Sequence, residues 1–492
     1  MSPPASDMPV PACRPAGSLE DPQGHPESEP CEREGSGRRD LSVPQILPAR
    51  TARPQDDGRI DRELLAGGVF AAVRLRRWAG IFASYFSTQT VTQLLGIATG
   101  LLFIRFMPVR EFALYTLAFS VVSFFTFVSD LGSSSSLLYF FRQTARTGED
   151  FAPFVPAVLS LRRGAFLLGA CGVVLAFPRA AAAKGYTAGA ITLATAGILV
   201  CVWFQISASL RVLMLRLRDR YGDSYRAEMS GAALRLALAG TMAAWSFLWA
   251  WLGVLATGLG TALTALLAGR GTAPLPAAAG SPLAPYRRRV LRYMLPTLPS
   301  ALYFSVQGPL VVWLAATFGN TRNIAEVGAL SRLGMVVGVF SSLTGVVFVP
   351  RLARIADDRH YLRRYLQFGV LLAIVAGALF VAASLFPHLL LMLLGDKYAG
   401  LDRELRLVVA GAGLTLLGGY AVSVNLARSW TRWETAAALS LMAAQAGLVA
   451  VLPLGTTSGV LWFNLLTAAV GLALQLAVGL TGFIRPSWVA WQ

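Results

Sequence analysis

The sequence has few charged residues for its length. Of its 492 residues only 14% are charged, whereas 55% are hydrophobic and the mean hydropathy is +0.57. A soluble globular protein carries roughly 25% charged residues. A chain with so little charge cannot cover a large water-exposed surface, so most of it is expected to face lipid. The deficit excludes an ordinary soluble protein.

Residues that bind metals or form disulfides are also scarce. The chain has three histidines and four cysteines, Cys13, Cys31, Cys171 and Cys201, without a CxxC spacing. Because this spacing is absent, neither a metal centre nor a disulfide framework is expected. There is no Walker motif, and no loop carries an acid and base pair or a constellation that would activate a nucleophile. We therefore expect no metal, no cofactor and no enzymatic activity.

Long apolar segments dominate the chain from residue 80 onward. Each is long enough to cross a hydrocarbon core about 30 Å thick. They predict an all-α membrane protein with about twelve transmembrane helices in two six-helix bundles. The segments are 82–106, 112–131, 155–177, 188–210, 228–247, 250–268, 294–318, 326–349, 366–394, 405–427, 435–454 and 458–483.

The basic residues alternate between the predicted loops. The net charge is +17, which in a soluble protein suggests nucleic acid. Here 23 cations fall on one predicted side of the membrane and eight on the other. Positive charge accumulates on the cytoplasmic side, so both termini are expected to be cytoplasmic and nucleic acid is not an expected partner.

Composition divides the chain into predicted domains. Residues 1–79 hold 11 of the 26 prolines, 11 basic and 12 acidic residues, so a disordered cytoplasmic tail is expected, of which residues 1–60 should be dispensable. The two bundles are predicted at 80–268 and 294–483. Residues 269–293 form a cytoplasmic linker whose basic run, 287–289, should lie on the anionic leaflet. Residues 484–492 form a second tail.

Short sequence matches relate the two halves. The first predicted helix contains YFSTQ at 85–89, and the seventh contains YFSVQ at 303–307. Glu111 opens the second helix much as Glu326 opens the eighth. Because corresponding helices run in the same direction, these matches predict a parallel repeat about an axis along the membrane normal.

With these segments laid out, the chain resembles a family of membrane exporters over about residues 80–483. The resemblance rests on four cues in order. They are SDLG at 129–132, Leu295 with Pro296, the stretch from Val327 to Leu333 before Pro350, and LLGDKY at 393–398. By these cues and their order, the chain is similar to the O-antigen and exopolysaccharide flippases of the multidrug/oligosaccharidyl-lipid/polysaccharide exporter superfamily.

The resemblance implies a function. Such proteins have two bundles around a central cavity that alternates between inward-open and outward-open states. The implied substrate is an undecaprenyl-diphosphate-linked oligosaccharide that crosses the bacterial inner membrane. Membrane lipids, a polysaccharide polymerase and a chain-length regulator are the implied partners. The family usually lacks a tail like residues 1–79.

Four arginines within predicted helices are candidates for substrate binding. A charge at membrane depth costs about 2.5–3.5 kcal/mol and is a functional-site hypothesis by default. Guanidinium groups match phosphate oxygens bidentately. The structural alternative is pairing, of Asp130 with Arg162 or its neighbour, and of Glu228 with Arg235 two turns along one helix. The four candidates are Arg162, Arg163, Arg235 and Arg332.

Uncharged polar residues recur on the first and seventh predicted helices. They are spaced three and four residues apart, so each set forms one stripe. Such stripes suit a sugar, which needs many hydrogen bonds, or hydrogen bonds between helices. The candidates for sugar contact are Tyr85, Gln89, Gln93, Tyr303 and Gln307.

Other functions are weighed on the same features. A multidrug or small-cation antiporter of the same superfamily should place an acidic residue deep in a bundle, where this chain has mostly arginines. A flippase for the peptidoglycan lipid precursor would have about fourteen helices. A glycan polymerase or ligase would need a larger outer loop, and a scaffold has little reason to keep arginines within the membrane.

Overall fold

The computed structural model of the chain describes residues 90–271, 283–295, 298–344, 348, 352, 358–428, 430 and 433–484. These residues are helical apart from short connections, and no β-strand occurs among them. The all-α prediction is therefore confirmed. The predicted tails at 1–79 and 484–492 lie outside the described residues, except for Ile484 at the end of the last helix.

Fifteen α-helices make up the described chain. The first is described from Thr90, and α3 and α12 are short continuations of the helices before them. In chain order they are α1 (Thr90–Phe106), α2 (Val109–Asp130), α3 (Ser133–Thr147), α4 (Phe154–Ala182), α5 (Ala188–Leu217), α6 (Tyr221–Ala244), α7 (Ala250–Gly271), α8 (Leu283–Met294), α9 (Leu298–Phe318), α10 (Thr321–Leu343), α11 (Asp358–Leu385), α12 (Pro387–Leu394), α13 (Asp402–Ala427), α14 (Glu434–Val451) and α15 (Thr457–Ile484).

Within the described ranges, nine helical spans are long and apolar enough to cross a membrane. The three other predicted spans coincide with α1, α6 and α10, which are helical but shorter or more polar. A count of twelve spans remains a prediction. The predicted ninth span is not one continuous helix. It breaks at Phe386 between α11 and α12, where Pro387 has no backbone N–H to continue the hydrogen bonds of the preceding helix.

The helix contacts of one half recur in the other. In the first half α5 packs most extensively on α7, and α2 and α4 both pack on α5. In the second half α13 packs most extensively on α15, and α10 and α11 both pack on α13. This is the pattern of contacts that a parallel repeat of six helices produces. The halves meet where α2 packs against α9 and α10.

The two matching glutamates hold equivalent positions in the halves. The Glu111 carboxylate accepts a hydrogen bond from the backbone N–H of Ala250, the first residue of α7, at 2.9 Å. Glu326 is buried and accepts a hydrogen bond from the hydroxyl of Thr457, the first residue of α15, at 2.6 Å. A carboxylate at a helix N-terminus is stabilised by the helix dipole. The glutamates therefore anchor the last helix of each half.

The predicted linker at 269–293 contains regular structure. Its second half forms the amphipathic helix α8, which packs on α3 and α4. Val290 and Met294 are buried there, Arg289 contacts both carboxylate oxygens of Glu149 at 2.5 and 3.2 Å, and Arg287 donates to Ser160 at 2.6 Å. The Glu149 hydrogen bond raises the pKa of Arg289. α8 is therefore bound to the first half rather than extended.

The topology can be tested with reporter fusions. From the 23-to-8 distribution of cations we expect fusions at Gly319 and Gly455 to report a periplasmic location and a fusion at Gly280 a cytoplasmic one. Paired alkaline phosphatase and green fluorescent protein fusions measure this directly. A periplasmic signal at Gly280 would contradict the topology.

Candidate functional site

Arg235 and Arg332 line the same cavity between the two halves. Arg235 comes from α6 in the first half and Arg332 from α10 in the second half. The cavity has a volume of about 380 Å³ and is also lined by Gln93, Tyr115 and Phe119. None of its described lining residues is acidic. Two guanidinium groups at membrane depth without a lining carboxylate form a site for an anion.

Two glycines of α1 make room for the arginine side chains. A Cβ atom added to Gly96 would lie 3.3 Å from Nη2 of Arg235, and one added to Gly100 would lie 3.3 Å from Cδ of Arg332. The glycines are four residues apart and therefore share a helix face. α1 thus holds both arginines along one surface, next to Gln93.

Arg332 is placed by aromatic and apolar contacts. Its guanidinium carbon lies 4.7 Å from the centroid of the Phe119 ring on α2, a cation–π distance. Its Nη1 lies 3.8 Å from the sulfur of Met335, a weak acceptor. No carboxylate pairs with Arg332 within the described part of the chain. Most of its hydrogen-bonding capacity is therefore available to a ligand.

Arg235 also keeps donors available. Its Nε is buried and has no hydrogen-bond partner among the described residues. Buried donors in proteins normally have partners, so an exception indicates a group that a ligand or ordered water satisfies. The close contact of α6 with α7 fixes its position, because a Cβ on Gly260 would lie 2.6 Å from the carbonyl oxygen of Gly231.

The proposed pairing of Arg235 with Glu228 is wrong. Both oxygens of Glu228 instead accept hydrogen bonds from Nη2 of Arg216, each at 2.9 Å. Arg216 lies in the last turn of α5, and the short connection to α6 brings it beside Glu228. The charge of Glu228 is thus neutralised without Arg235, which strengthens the case that Arg235 faces a ligand.

Arg162 is fully occupied by protein contacts. It is 1% exposed, and its five N–H groups donate to Ser133 (2.6 Å), Ser134 (2.7 Å), Ser209 (3.0 Å), the carbonyl oxygen of Ile206 (3.4 Å) and the carboxylate of Asp130. A guanidinium has five N–H donors. The pairing with Asp130 is therefore confirmed, and no donor remains for a substrate.

Arg163 points away from this buried network. Its side chain is exposed, and its guanidinium carbon lies 5.8 Å from the centroid of the Trp203 ring. It does not line any of the three cavities described here. An exposed arginine beside a tryptophan suits a membrane interface, where the charge reaches toward water.

Two larger cavities adjoin the one between the arginines. The cavity of the first half, about 490 Å³, shares Arg235 and is rich in hydroxyl and amide groups. The cavity of the second half, about 730 Å³, shares Arg332 and has a more apolar lining. Arg235 and Arg332 therefore stand at the two junctions of a chain of cavities. The uncharged polar residues of the first-half cavity are Ser134, Gln205, Ser209, Thr257, Thr261 and Thr264, and the charged pair Arg216 and Glu228 lines it as well.

The sugar-contact candidates are divided among these cavities. Gln93 lies between the arginines, whereas Tyr303 and Gln307 line the larger cavity of the second half. Gln307 and Gln445 exchange hydrogen bonds of 3.1 and 2.9 Å, and the Tyr303 hydroxyl donates to Gln445 at 3.4 Å. These polar residues therefore bind each other across α9 and α14 while lining a cavity. Tyr85 and Gln89 lie outside the described residues.

One acidic residue borders the larger cavity. Glu434, the first residue of α14, lines it and accepts long hydrogen bonds of 3.3 and 3.4 Å from the amide of Gln475. Glu434 immediately precedes the predicted span 435–454, so the sequence does not mark it as a charge within the membrane. Among the described residues no group of three or more histidine, cysteine, aspartate or glutamate side chains could hold a metal ion.

Filling the space on α1 should impair the site. In Gly96→Leu and Gly100→Leu a branched side chain occupies the position of an arginine side chain, because even a Cβ atom reaches 3.3 Å. We expect each variant to insert normally and to bind a diphosphate anion much more weakly, measured on the purified protein. The matched control is Gly164→Leu, since nothing lies within 4 Å of a Cβ at Gly164. A loss of anion binding as large in the control would show a general effect of leucine.

No family model matches the chain, and no curated protein matches it. Several solved structures are similar in fold. The lipid II flippase MurJ in an inward closed conformation has a TM-score of 0.64 at 12% identity, covering 82% of this chain and 90% of that one. A MATE-family multidrug resistance transporter of the MOP superfamily has a TM-score of 0.57 in its inward-facing conformation, at 18% identity over 79% of this chain and 95% of that one.

The outward-facing conformation of such a MATE transporter has a TM-score of 0.55 at 19% identity, covering 82% of this chain and 94% of that one. At these identities the likeness shows the fold. The chain therefore has the all-helical fold of MATE and MurJ transporters, which agrees with its internal repeat.

Proposed function

We propose that the chain moves a lipid-diphosphate-linked oligosaccharide across the membrane for polysaccharide export, by alternating access. The observation that carries the proposal is the cavity that Arg235 and Arg332 share. A diphosphate carries its charge on oxygens that accept paired N–H donors, and a low-dielectric surrounding strengthens the attraction. One arginine from each half would contact the diphosphate, so movement of the halves would carry it.

The adjoining cavities fit the rest of such a substrate. The hydroxyl and amide groups of the first-half cavity offer hydrogen bonds to sugar rings. Gln93 would contact the sugar next to the diphosphate, and Tyr303 and Gln307 would contact the glycan from the second half. Burying sugar hydroxyls in hydrocarbon without such partners would cost several kcal/mol each, roughly 2–7.

The setting belongs to the same proposal. The protein would lie in the bacterial inner membrane with both termini in the cytoplasm. A polysaccharide polymerase and a chain-length regulator would act on the glycan after it crosses. No catalytic step is required of this chain.

Two alternatives have specific support. The fold similarity to the lipid II flippase MurJ favours a peptidoglycan lipid precursor, which offers the same diphosphate. Glu434 beside the 730 Å³ cavity, together with the similarity to MATE transporters, favours export of an organic cation. The peptidoglycan precursor would bind at the same two arginines, whereas an organic cation would bind in the second-half cavity alone.

Deletion of the gene in its native host separates these functions. We expect loss of the surface polysaccharide and accumulation of its lipid-linked repeat unit, accessible only from the cytoplasmic side and reversed by the wild-type gene. Growth arrest with accumulated lipid II would favour the peptidoglycan precursor. Intact polysaccharide with increased sensitivity to cationic dyes would favour cation export. Either of these two results would contradict the proposed substrate.

A further inference from the structure

Two lysines occupy corresponding loops of the two halves. Lys184 lies in the loop after α4, and Lys397 lies in the short 3₁₀ helix after α12. In the internal repeat these are the connections that follow the third span and the ninth span. Both lie on the membrane face that the cation distribution predicts to be periplasmic, called the outer face below. Basic residues are normally sparse on the outer face, so a structural or functional reason for these two lysines is expected.

Lys184 reaches across to the second half. Its ammonium group donates to the carbonyl oxygen of Gly319 at 2.7 Å. Gly319 directly follows Phe318, the last residue of α9. The last carbonyl groups of a helix lack intrahelical partners and lie at the negative end of its dipole. Lys184 of the first half thus caps the seventh span, which belongs to the second half.

Lys397 makes the reciprocal contact from the second half. Its ammonium group donates to the carbonyl oxygens of Arg105 and Met107, each at 3.0 Å. These residues surround the end of α1 at Phe106. Partial burial lowers the pKa of Lys397, as expected for an ammonium group drawn away from water. Lys397 therefore caps the first span, the repeat counterpart of the span that Lys184 caps.

Each lysine has a buried tyrosine beside it. The hydroxyl of Tyr186 donates to the carbonyl oxygen of Arg110 at 2.7 Å, and the ring of Tyr398 packs 6.5 Å from that of Phe112 in the other half. Glycines turn both loops, Gly185 at φ +76° and Gly395 at φ +93°, a region that other residues rarely adopt. The LLGDKY segment at 393–398 thus forms a contact between the halves.

We propose that Lys184 and Lys397 form a two-part latch that holds the halves together at the outer face. Each lysine belongs to one half and binds the end of a helix in the other, so both contacts must break before the outer ends of the halves can separate. Because the acceptors are backbone carbonyl groups, the latch depends on the lysine charge and length and tolerates changes in the facing side chains. The latch would set the balance between closed and open outer states for any transported substrate.

The latch can be tested by thiol accessibility in the full-length chain. The background is a variant with all four cysteines replaced, carrying Ser123→Cys, since Ser123 lines the second-half cavity. Lys184→Met and Lys397→Met keep the aliphatic stem and remove the charge. The rate of modification by a membrane-impermeant thiol reagent is measured in right-side-out and inside-out vesicles.

We expect each methionine variant to raise the rate from the outer side roughly tenfold, and the double variant to raise it further, because a charge-assisted hydrogen bond contributes about that factor or more. The rate from the cytoplasmic side should fall in parallel. The matched control is Arg179→Met, another outer cation, whose side chain donates to Leu175 of its own helix at 2.7 Å. Its rates should equal those of the background.

Three results would overturn the latch. Unchanged rates in the double variant would show that the contacts do not hold the outer face closed. An equal rise in Arg179→Met would show that any loss of outer charge has this effect. A rise from both sides together would show general loosening of the fold, since a shift between two states must lower one accessibility as it raises the other.

Discussion

Under the proposed function, Arg332→Ala is expected to lower polysaccharide export by tenfold or more while the protein remains in the membrane at normal levels. Hydrogen bonds to a charged group contribute about 1.5–3 kcal/mol, and 1.4 kcal/mol corresponds to a factor of about ten. Arg332 has no acidic partner within the described residues, so its loss leaves no buried carboxylate behind. Surface polysaccharide and membrane abundance, measured in the same cells, separate function from folding.

The pattern across substitutions distinguishes charge from shape. Arg332→Lys should keep partial export, because lysine keeps the positive charge but not the bidentate geometry of the guanidinium. Arg332→Gln should export less than Arg332→Lys, because glutamine has no charge to attract the anion. The same order is expected at Arg235. The control is Arg163→Ala, since Arg163 lines none of the three cavities and should be dispensable for binding. Normal export in both Arg332→Ala and Arg235→Ala would refute the anion site.

The interaction with Glu228 offers an independent check on Arg235. Because Glu228 is paired with Arg216, Glu228→Gln should not restore export to Arg235→Ala. Restored export in the double variant would mean that Arg235 neutralises Glu228 and does not contact a substrate. Loss of abundance is instead expected in Arg216→Ala, which leaves the Glu228 carboxylate without its partner.

Asp130→Ala is expected to have the largest effect on stability. It leaves the guanidinium of Arg162, which is 1% exposed, without its counter-charge. Breaking a buried ion pair from one side costs about 3–5 kcal/mol. The apparent melting temperature of the purified protein in detergent should fall by several degrees, and abundance in the membrane should fall with it. Arg162→Met should cost less, because Asp130 keeps a third of its side chain exposed and bonds to Ser133 and Ser134.

A surface ion pair provides the control for this experiment. Arg220 and Asp223 pair at 2.6 Å, but their side chains are 52% and 35% exposed. Exposed pairs contribute about 0–1 kcal/mol, so Asp223→Ala should melt close to the wild type. If Asp130→Ala also melts like the wild type but abolishes export, then the Asp130 and Arg162 pair acts in transport and not in folding.

The fold was accessible from the sequence because lipid imposes a simple rule on helix composition. Backbone groups in hydrocarbon must be satisfied within the segment, so apolar runs report helices directly. The repeat followed from matches such as Glu111 and Glu326, which the structure places at equivalent helix ends. The amphipathic helix α8 escaped prediction because the stretch 269–290, which overlaps it, has the proline, glycine and alanine content typical of a linker.

The site was accessible only in part. Depth in the membrane identified Arg235 and Arg332, because a charge there is costly wherever it points. Depth in the membrane did not distinguish these two arginines from Arg162, whose hydrogen-bond partners come from three other helices. The partner of Glu228 was misassigned because spacing along one helix was compared, whereas Arg216 approaches from the preceding helix. Contacts between helices distant in sequence leave no periodic signal.

The outer lysines show the same limit. In a count of loop charges Lys184 and Lys397 are two of eight outer cations, with nothing to set them apart. Their roles depend on which helix ends lie opposite, and only the packing of the halves brings Gly319 and Met107 within reach.

Translocation in reconstituted vesicles tests the proposed function most directly. Purified full-length protein is placed in liposomes whose inner leaflet contains an undecaprenyl-diphosphate-linked oligosaccharide, and its arrival in the outer leaflet is followed with an external glycan-binding protein. We expect the wild-type protein to raise the rate well above that of protein-free liposomes, and the Arg235→Ala, Arg332→Ala double variant to return it to the protein-free rate. A double variant as fast as the wild type, or a wild type no faster than protein-free liposomes, would contradict the proposal.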